Sequence, residues 1–336
     1  MSTPAPNPLR FFEAINAYQQ TEAIKAALEL DLFTAVAESQ GAVPAIAERC
    51  RAAERGVRIL CDFLTIHGFL TKTGERFALT PDARAFLVRT SPAYLGDSIE
   101  FLLSSELVDG FRNLADAVRR GGTALSANGT MESQHPVWVK FARVMGPVVA
   151  VSAPALAEVA DPRAERPVRV LDIAAGHGLF GIALARRNRQ AHIVAQDWAP
   201  VLEVASEHAR KAGVADRFTL LPGSAFDVEL GSGYDVVLLT NFLHHFDALT
   251  CEQLLRRVAR ALKPGGVAVT LEFVPNDDRV TPAPAARFSA TMLATTIAGD
   301  AYTFGEYDAM FRNAGFSRNT LHPLPESPQS AIVSSV

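Results

Sequence analysis

The chain has 336 residues, 49% of them hydrophobic and 20% charged, which is enough apolar material for two folded domains and excludes disordered and collagen-like proteins. Its 32 lysines and arginines nearly balance 36 aspartates and glutamates, so no overall positive charge favours binding to nucleic acid or anionic lipid. The three cysteines are too few for a disulfide framework, and no secretory signal or membrane-spanning stretch is evident, so we expect a cytoplasmic protein.

The first predicted helix runs from Pro8 to Phe33, where apolar residues including Phe11, Phe12 and Ile15 recur at helical spacing. The helix has more aromatic residues than a helix at the edge of a domain needs for packing on that domain. We therefore expect its apolar face to bind a partner.

Residues 43–80 are typical of a winged helix-turn-helix. Pro44 begins a helix that ends near Cys50, residues 51–56 form a turn, and a second helix ends at Gly68. A hairpin turning at Gly74 follows. Residues 41–90 hold eight basic and five acidic residues, but residues 1–40 hold two and five, so the N-terminal part as a whole is neutral. Because DNA-reading domains concentrate positive charge on one face, a protein–protein role is favoured over DNA binding.

Residues 92–160 are predicted to be mostly helical, with an interruption at 121–130 that is rich in glycine, serine and asparagine. The last of these helices, 135–160, is apolar on nearly every side, which predicts that it is buried or lines a pocket. The pattern changes near Asp161, where we place a domain boundary.

Strands and helices alternate from Val168 onward. Strands are predicted at 168–173, 191–196, 217–221, 234–240 and 266–273, with helices near 178–189, 200–212 and 249–262. Such near-continuous apolar strands indicate a parallel sheet covered by helices on both faces, with ligands bound at the carboxyl ends of the strands. The last twenty residues are predicted to add an antiparallel hairpin to this sheet.

The turn after the first of these strands suggests a nucleoside cofactor. Residues 176–181 match GxGxxG, which alone is weak evidence for a dinucleotide. Asp172 precedes the turn, and a carboxylate at the mouth of the loop would repel a pyrophosphate but attract the cationic tail of S-adenosylmethionine. Asp197 ends the second strand, about twenty residues after the glycine turn, which is the separation typical of a carboxylate that binds a ribose diol. NAD and S-adenosylmethionine sites share this feature, and Asp197 also suits a helix N-cap. Trp198 either packs on the adenine or closes the sheet edge, and residues 224–226 are placed to meet the adenine.

Taken together, VLDIAAGHG, Asp197, NFLHHFD, LKPGG and TFGEYDAMFRNAGF resemble the S-adenosylmethionine-dependent O-methyltransferases of the caffeic acid/isoflavone type and their bacterial relatives. The resemblance covers almost the whole chain. It implies an α/β fold of class I methyltransferases, a Rossmann-like doubly wound sheet of seven strands with the last one antiparallel. It divides the chain into a winged-helix dimerisation domain (1–100), a helical linker that lines the substrate pocket (101–160) and a methyltransferase domain (161–336). It further implies a homodimer, a small-molecule substrate, S-adenosylhomocysteine as product, and no metal, nucleic acid or membrane partner.

The same resemblance assigns roles to individual residues. For the cofactor these are Asp172, Gly176, Gly178, Asp197, Ser224, Ala225 and Phe226, and we add Trp198 and Asn241 as further cofactor candidates. For the substrate they are Phe141, Met145, Met292 and Thr296, and we add His245 as a further substrate candidate. His244 takes the position of the catalytic base, flanked by Glu272 and Glu306. Three positions depart from the family pattern: Ala174 replaces a glycine, Ser224 an acid and His245 an aspartate.

Histidine suits the base role because its unperturbed pKa of about 6.5 leaves it able to accept a proton at neutral pH. A carboxylate on the other ring nitrogen would fix its tautomer, and both Glu272 and Glu306 are candidates. Alternatively, the two histidines only shape the pocket of an N- or C-methyltransferase or of a relative with another reaction. A winged-helix regulator that senses S-adenosylmethionine, and an NAD-dependent oxidoreductase, remain as alternatives from other classes.

Overall fold

The structure is a computed structural model, which describes residues 7–126, 129–132, 134–149, 152–325 and 327–336. The chain divides into two compact units, Met1–Ile99 and Glu100–Val336. Among the described residues, no helix is long and apolar enough to cross a membrane.

The first unit contains five α-helices and a hairpin in its described part. These are α1 (Leu9–Glu29), α2 (Leu32–Glu38), α3 (Val43–Cys50), α4 (Glu54–Ile66), β1 (Leu70–Thr73), β2 (Arg76–Leu79) and α5 (Pro81–Phe86). The order of two helices, hairpin and capped helix agrees with the predicted winged helix, although α4 begins at Glu54 and so includes Gly56. The predicted first helix is interrupted at Asp31, whose φ of 52° is left-handed, a conformation that aspartate tolerates better than most residues.

A group of helices precedes the sheet of the second unit: α6 (Ile99–Leu102), α7 (Ser105–Arg112), α8 (Leu114–Arg120), α9 (Val137–Val144), α10 (Gly146–Val149) and α11 (Ser152–Ala160). The prediction of one continuous helix over 135–160 is wrong. The helix is interrupted at Met145, where Pro147 lacks the amide hydrogen that would bond the carbonyl oxygen of Arg143. Only Val137 and Ala142 of α9 are fully buried, and Lys140 and Arg143 are exposed, so this helix is not buried on every side. Residues 150 and 151 of the predicted helix lie outside the described residues.

The sheet contains β3 (Val168–Ile173), β4 (Ala191–Asp197), β5 (Phe218–Pro222), β6 (Tyr234–Thr240), β7 (Leu262–Glu272), β8 (Arg318–Pro323) and β9 (Ser330–Ser335). Their order in the sheet is β5-β4-β3-β6-β7-β9-β8. The pairs from β5 to β7 are parallel, and β9 is antiparallel to both of its neighbours. The predicted seven-stranded sheet with an antiparallel last strand is therefore confirmed.

Helices cover both faces of this sheet: α12 (Leu179–Arg187), α13 (Ala199–Lys211), α14 (Ala248–Ala261) and α17 (Phe304–Asn313). Between β7 and α17 the chain forms α15 (Ala283–Ala286) and α16 (Phe288–Thr295), and α16 packs against α7 and α8. Neighbouring residues of β3 serve opposite faces: Val170 packs with α11 and α12, and Leu171 packs with α14 and α17. The chain order reverses direction at β3, where β4 lies on one side and β6 on the other. Ligands of open α/β sheets bind outside the carboxyl ends of the strands at such a switch point.

Candidate active site

The turn after β3 is built around left-handed backbone conformations. Gly176 and Gly178 have φ values of 57° and 73°, which glycine adopts without steric cost. Ala174 has a φ of 52°, so alanine at this position carries backbone strain that the usual glycine would not. These residues form an open turn between β3 and α12.

Asp197, the last residue of β4, faces this turn. Its Oδ2 accepts a hydrogen bond of 2.8 Å from the Gly176 amide, and its Oδ1 accepts one of 2.7 Å from the Trp198 amide. Each carboxylate oxygen has a second lone pair, so the group can accept further hydrogen bonds from a diol. Burial raises the pKa of Asp197 to about 6.

Asp172 differs from its expected position. It was predicted at the mouth of the loop, but it is fully buried beneath the loop, where its Oδ2 accepts a hydrogen bond of 3.2 Å from the Gly181 amide in the first turn of α12. The other oxygen, Oδ1, is buried with no hydrogen-bond partner in the part of the chain that the structure describes. Burial, opposed by the Gly181 hydrogen bond, raises the pKa of Asp172 to about 7. The carboxyl group occupies the helix N-terminus at which a phosphate would bind, which fits a cofactor without phosphate.

The turn after β5 lies beside Asp197, whose carbonyl oxygen accepts a hydrogen bond of 3.0 Å from the Gly223 amide. Ser224 Oγ accepts one of 3.1 Å from the Phe226 amide, and Ala225 is buried. Trp198 precedes α13 and packs with Ala142 and Val201. The turns after β3 and β5 therefore meet at the end of β4.

Asn241 follows β6 with a left-handed φ of 56°, and its side-chain oxygen accepts a hydrogen bond from Gln329. Arg257 of α14 donates to the carbonyl oxygens of Phe226 and Val228. Neither Gln329 nor Arg257 could be predicted from the sequence, because their hydrogen-bond partners lie 88 residues away for Gln329 and 31 and 29 residues away for Arg257.

His244 and Glu272 form a buried pair. His244 is 3% exposed in a short turn after β6, and Glu272 is the fully buried last residue of β7. His244 Nδ1 is hydrogen-bonded to Glu272 Oε2. Glu272 Oε1 accepts hydrogen bonds of 3.0 and 2.9 Å from the amides of Phe242 and Leu243. The carboxylate therefore holds both the imidazole ring and the backbone that carries it.

Glu306 has a different environment. It forms a capping box with Thr303 at the start of α17, and its other oxygen pairs with Arg279. Its side chain is 40% exposed. Of the two glutamates considered as support for His244, Glu272 is the one that the structure brings to the ring.

His245 lies beside His244, with ring centroids 4.3 Å apart, and its ring meets the Trp138 ring edge-to-face at 5.1 Å. Its Nδ1 is buried without a hydrogen-bond partner among the described residues. Burial and the neighbouring His244 hold the pKa of His245 well below its ordinary value. The ring is therefore a neutral polar group at physiological pH.

Aromatic rings connect α9 to the turn after β3. Phe141 stacks on the His177 ring at 5.8 Å and contacts Trp138 at 6.1 Å. A Cβ at Gly176 would lie 3.6 Å from the Phe141 ring. Phe141, expected to contact the substrate, thus lies against the cofactor turn, and Met145 is buried at the end of α9.

The segment around α16 forms another side of the His244 environment. The Phe288 ring meets the His244 ring edge-to-face at 4.9 Å. Thr296 is fully buried, and its hydroxyl accepts a hydrogen bond of 2.9 Å from the Gly299 amide. A Cβ at Gly299 would overlap the carbonyl oxygen of His244, so this turn packs directly on the histidine backbone. Met292, which is also buried, accepts the Thr296 hydroxyl hydrogen through its carbonyl oxygen.

No group of three or more histidine, cysteine, aspartate or glutamate side chains that could hold a metal ion occurs among the residues that the structure describes. The donor set instead suits a nucleoside with a cationic tail: a carboxylate at the end of β4, a turn of small residues and a helix N-terminus already occupied by Asp172.

Comparison with known proteins gives two family matches. Residues 111–317 match the O-methyltransferase domain, and residues 12–89 match the O-methyltransferase dimerisation domain.

Individual relatives agree with these matches. The chain is 29% identical over 303 residues to 3-hydroxy-5-methyl-1-naphthoate 3-O-methyltransferase of Streptomyces sahachiroi, covering 89% of this chain and 86% of the relative. It is 26% identical over 305 residues to the tetracenomycin polyketide synthesis 8-O-methyl transferase of Streptomyces glaucescens, covering 90% and 89%. A crystal structure of a protein from Nostoc punctiforme, proposed to be an O-methyltransferase, superposes with a TM-score of 0.95 at 52% identity, over 98% of this chain and 99% of that one. The chain belongs to the family of S-adenosylmethionine-dependent O-methyltransferases.

Proposed function

We propose that the protein transfers a methyl group to a hydroxyl of a small aromatic metabolite, with His244 as the general base. The observation that carries this proposal is the buried pair of His244 and Glu272 next to a turn suited to S-adenosylmethionine. The aromatic rings of Trp138, beside His245, and Phe288, beside His244, favour a flat aromatic acceptor, and Phe141 extends this aromatic surface through its contact with Trp138. Relatives named for methylation of naphthoate and polyketide hydroxyls support the same substrate class.

In this proposal Asp197 accepts hydrogen bonds from the cofactor ribose, and the turn containing Gly176 and Gly178 holds the amino-acid tail. Trp198, Asn241 and the turn from Ser224 to Phe226 border the nucleoside. When bound, S-adenosylmethionine supplies an electrophilic methyl group on its sulfonium. The elements of this chain then have to align an acceptor oxygen with that group, which lowers the barrier by roughly 7–11 kcal/mol in well-oriented systems.

The hydrogen bond from Nδ1 to Glu272 determines which nitrogen of His244 acts. With the proton held on Nδ1 by the carboxylate, Nε2 has the lone pair that accepts the proton of the acceptor hydroxyl. The positive charge that develops on the ring is stabilised by Glu272. A base positioned in this way typically contributes about 10²–10⁴ in rate.

Substrate contacts are proposed for Phe141, Met145, His245, Met292 and Thr296. His245 is the polar member of this set nearest to His244. Glu306 is proposed to act at a distance, through its ion pair with Arg279 and the start of α17.

We also infer a homodimer formed through the first unit. One face of α1 exposes Leu9, Phe11, Phe12, Ile15 and Tyr18 at 54–63% each. An apolar surface of this kind is typical of an interface, and the matched dimerisation domain begins within the same helix.

Two measurements test the proposed function. Isothermal titration with S-adenosylhomocysteine and with NAD should show binding of the former alone. Incubation with S-adenosylmethionine carrying a labelled methyl group and a panel of phenols, naphthols and hydroxylated polyketides should yield products whose methyl group NMR places on oxygen. Absence of S-adenosylhomocysteine binding, or a methyl group found on carbon or nitrogen, would overturn the proposal.

A further inference from the structure

Gln196 joins the two turns of the proposed cofactor site. It precedes Asp197 on β4, and its side chain is 1% exposed. Its Oε1 accepts a hydrogen bond of 3.3 Å from the Ala174 amide, in the turn after β3. Its Nε2 donates one of 2.6 Å to the carbonyl oxygen of Gly223, in the turn after β5.

These two turns follow different strands and serve different parts of the proposed ligand. The turn at Ala174–Gly178 is assigned to the amino-acid tail, and the turn at Gly223–Phe226 is assigned to the adenine. The Gln196 main chain adds to the connection, because its carbonyl oxygen accepts a hydrogen bond of 3.0 Å from the Ala175 amide. One residue is thus bonded three times to backbone groups of the two turns.

The bond to Ala174 has a specific physical importance. Ala174 has a left-handed φ of 52°, which a non-glycine residue keeps only where its surroundings hold it there. The amide group of this residue is the one that Gln196 binds. Loss of the side-chain amide would leave a strained residue and a carbonyl oxygen of the other turn without their partner.

We propose that Gln196 is a positioning residue that fixes the spacing between the two cofactor turns, an inference that rests on the proposed function. A side chain with only one of the two bonds would order a single turn. Because Gln196 has both a donor and an acceptor in use, it couples the two turns to each other. The signal in the sequence is a second polar residue directly before Asp197, after the apolar run IVA of the strand AHIVAQD.

The test is substitution of Gln196 by methionine, which has a similar length and lacks both hydrogen bonds. We expect the dissociation constant of S-adenosylhomocysteine to increase at least tenfold. The affinity for adenosine, which does not reach the turn at Ala174–Gly178, should change less than threefold. In steady-state assays KM for S-adenosylmethionine should rise, while kcat at saturating cofactor stays within twofold.

Two further variants make this comparison decisive. Gln190→Met removes an exposed glutamine that hydrogen-bonds Glu165 just before β4, and it should leave both affinities unchanged. If Gln196→Met does not fold, as judged by thermal melting without ligand, Gln196→Asn keeps an amide in place but is too short to reach both turns. It should show the same selective loss.

Three outcomes would overturn the inference. These are unchanged S-adenosylhomocysteine affinity in a folded Gln196 variant, equal losses for S-adenosylhomocysteine and adenosine, and a fall in kcat without a rise in KM. A wild-type protein that does not bind S-adenosylhomocysteine refutes the proposed function itself, which separates the two failures.

Discussion

Substitution of Glu272 by glutamine should remove most of the catalytic activity while preserving the fold. Glutamine keeps an oxygen that can accept from the amides of Phe242 and Leu243, as Glu272 Oε1 does at 3.0 and 2.9 Å. Its NH₂ group then faces His244 Nδ1, which can bond to it only as an acceptor. The ring proton moves to Nε2, and the nitrogen that should accept the substrate proton no longer has a lone pair.

The magnitude follows from this change of tautomer. Loss of general-base assistance lowers kcat by about 10²–10⁴. The same exchange of a carboxylate for an amide in a serine-protease triad costs about 10⁴. Stability should fall only by about 1 kcal/mol, because one charge-assisted bond is replaced by a neutral one.

Glu272→Ala should behave differently, since it leaves His244 and two buried amides without their acceptor. Each buried donor left without an acceptor costs about 1–3 kcal/mol in the free energy of unfolding. Glu252→Gln is a matched control, because Glu252 is a buried glutamate of α14 bonded to Arg256 and Asn313. Initial rates of labelled methyl transfer, S-adenosylhomocysteine titration and urea unfolding complete the assay. Turnover of Glu272→Gln within threefold of wild type, at unchanged cofactor affinity, would refute the reasoning.

Three further predictions follow from the structure. Ala174→Gly should raise the free energy of unfolding in urea by up to about 1 kcal/mol, because glycine adopts the left-handed conformation without strain. Ala175 has no positive φ, so Ala175→Gly should lower the free energy of unfolding. The opposite order of the two variants would contradict the strain argument. Because burial raises the pKa of Asp172 to about 7, the folded state keeps a proton that the unfolded chain releases near pH 4. The free energy of unfolding of the wild type, relative to that of Asp172→Asn, should therefore decrease from pH 4 to 7. A difference that stays constant or rises would be incompatible with the buried carboxyl group. Phe12→Glu should convert the dimer into monomers, as measured by sedimentation velocity. Val118→Glu, at a similarly exposed position of α8, should leave the dimer intact. A Phe12→Glu protein that is still a dimer would show that α1 does not form the interface.

The sheet could be predicted from the sequence because its signal is local. Runs such as VRVLDI and YDVVLLT are apolar throughout, and the turns between them contain glycine, so strand positions agree with the structure to within a few residues. The interruptions of predicted helices at Asp31 and Met145 were missed because apolar periodicity continues through both points.

The candidate site could be predicted in its residues but less in their arrangement. Asp172 was expected at the loop mouth because it adjoins the loop in sequence, yet the strand geometry turns its side chain into the core. The choice between Glu272 and Glu306 depends on the pairing of β6 with β7, which brings residues 28 apart into contact. Both strands are largely apolar without alternation, so their hydrophobic pattern does not fix that register. The roles assigned to these residues, and the division of the chain at residues 100 and 160, stay predictions.

The most direct test of the account compares wild type and His244→Ala on phenols that differ in acidity. If His244 removes the acceptor proton, the variant should lose about 10²–10⁴ in kcat/KM on weakly acidic phenols and much less on nitrophenols, which are already ionised at the assay pH. An equal loss on all acceptors, at unchanged S-adenosylhomocysteine affinity, would show that His244 does not act as the base.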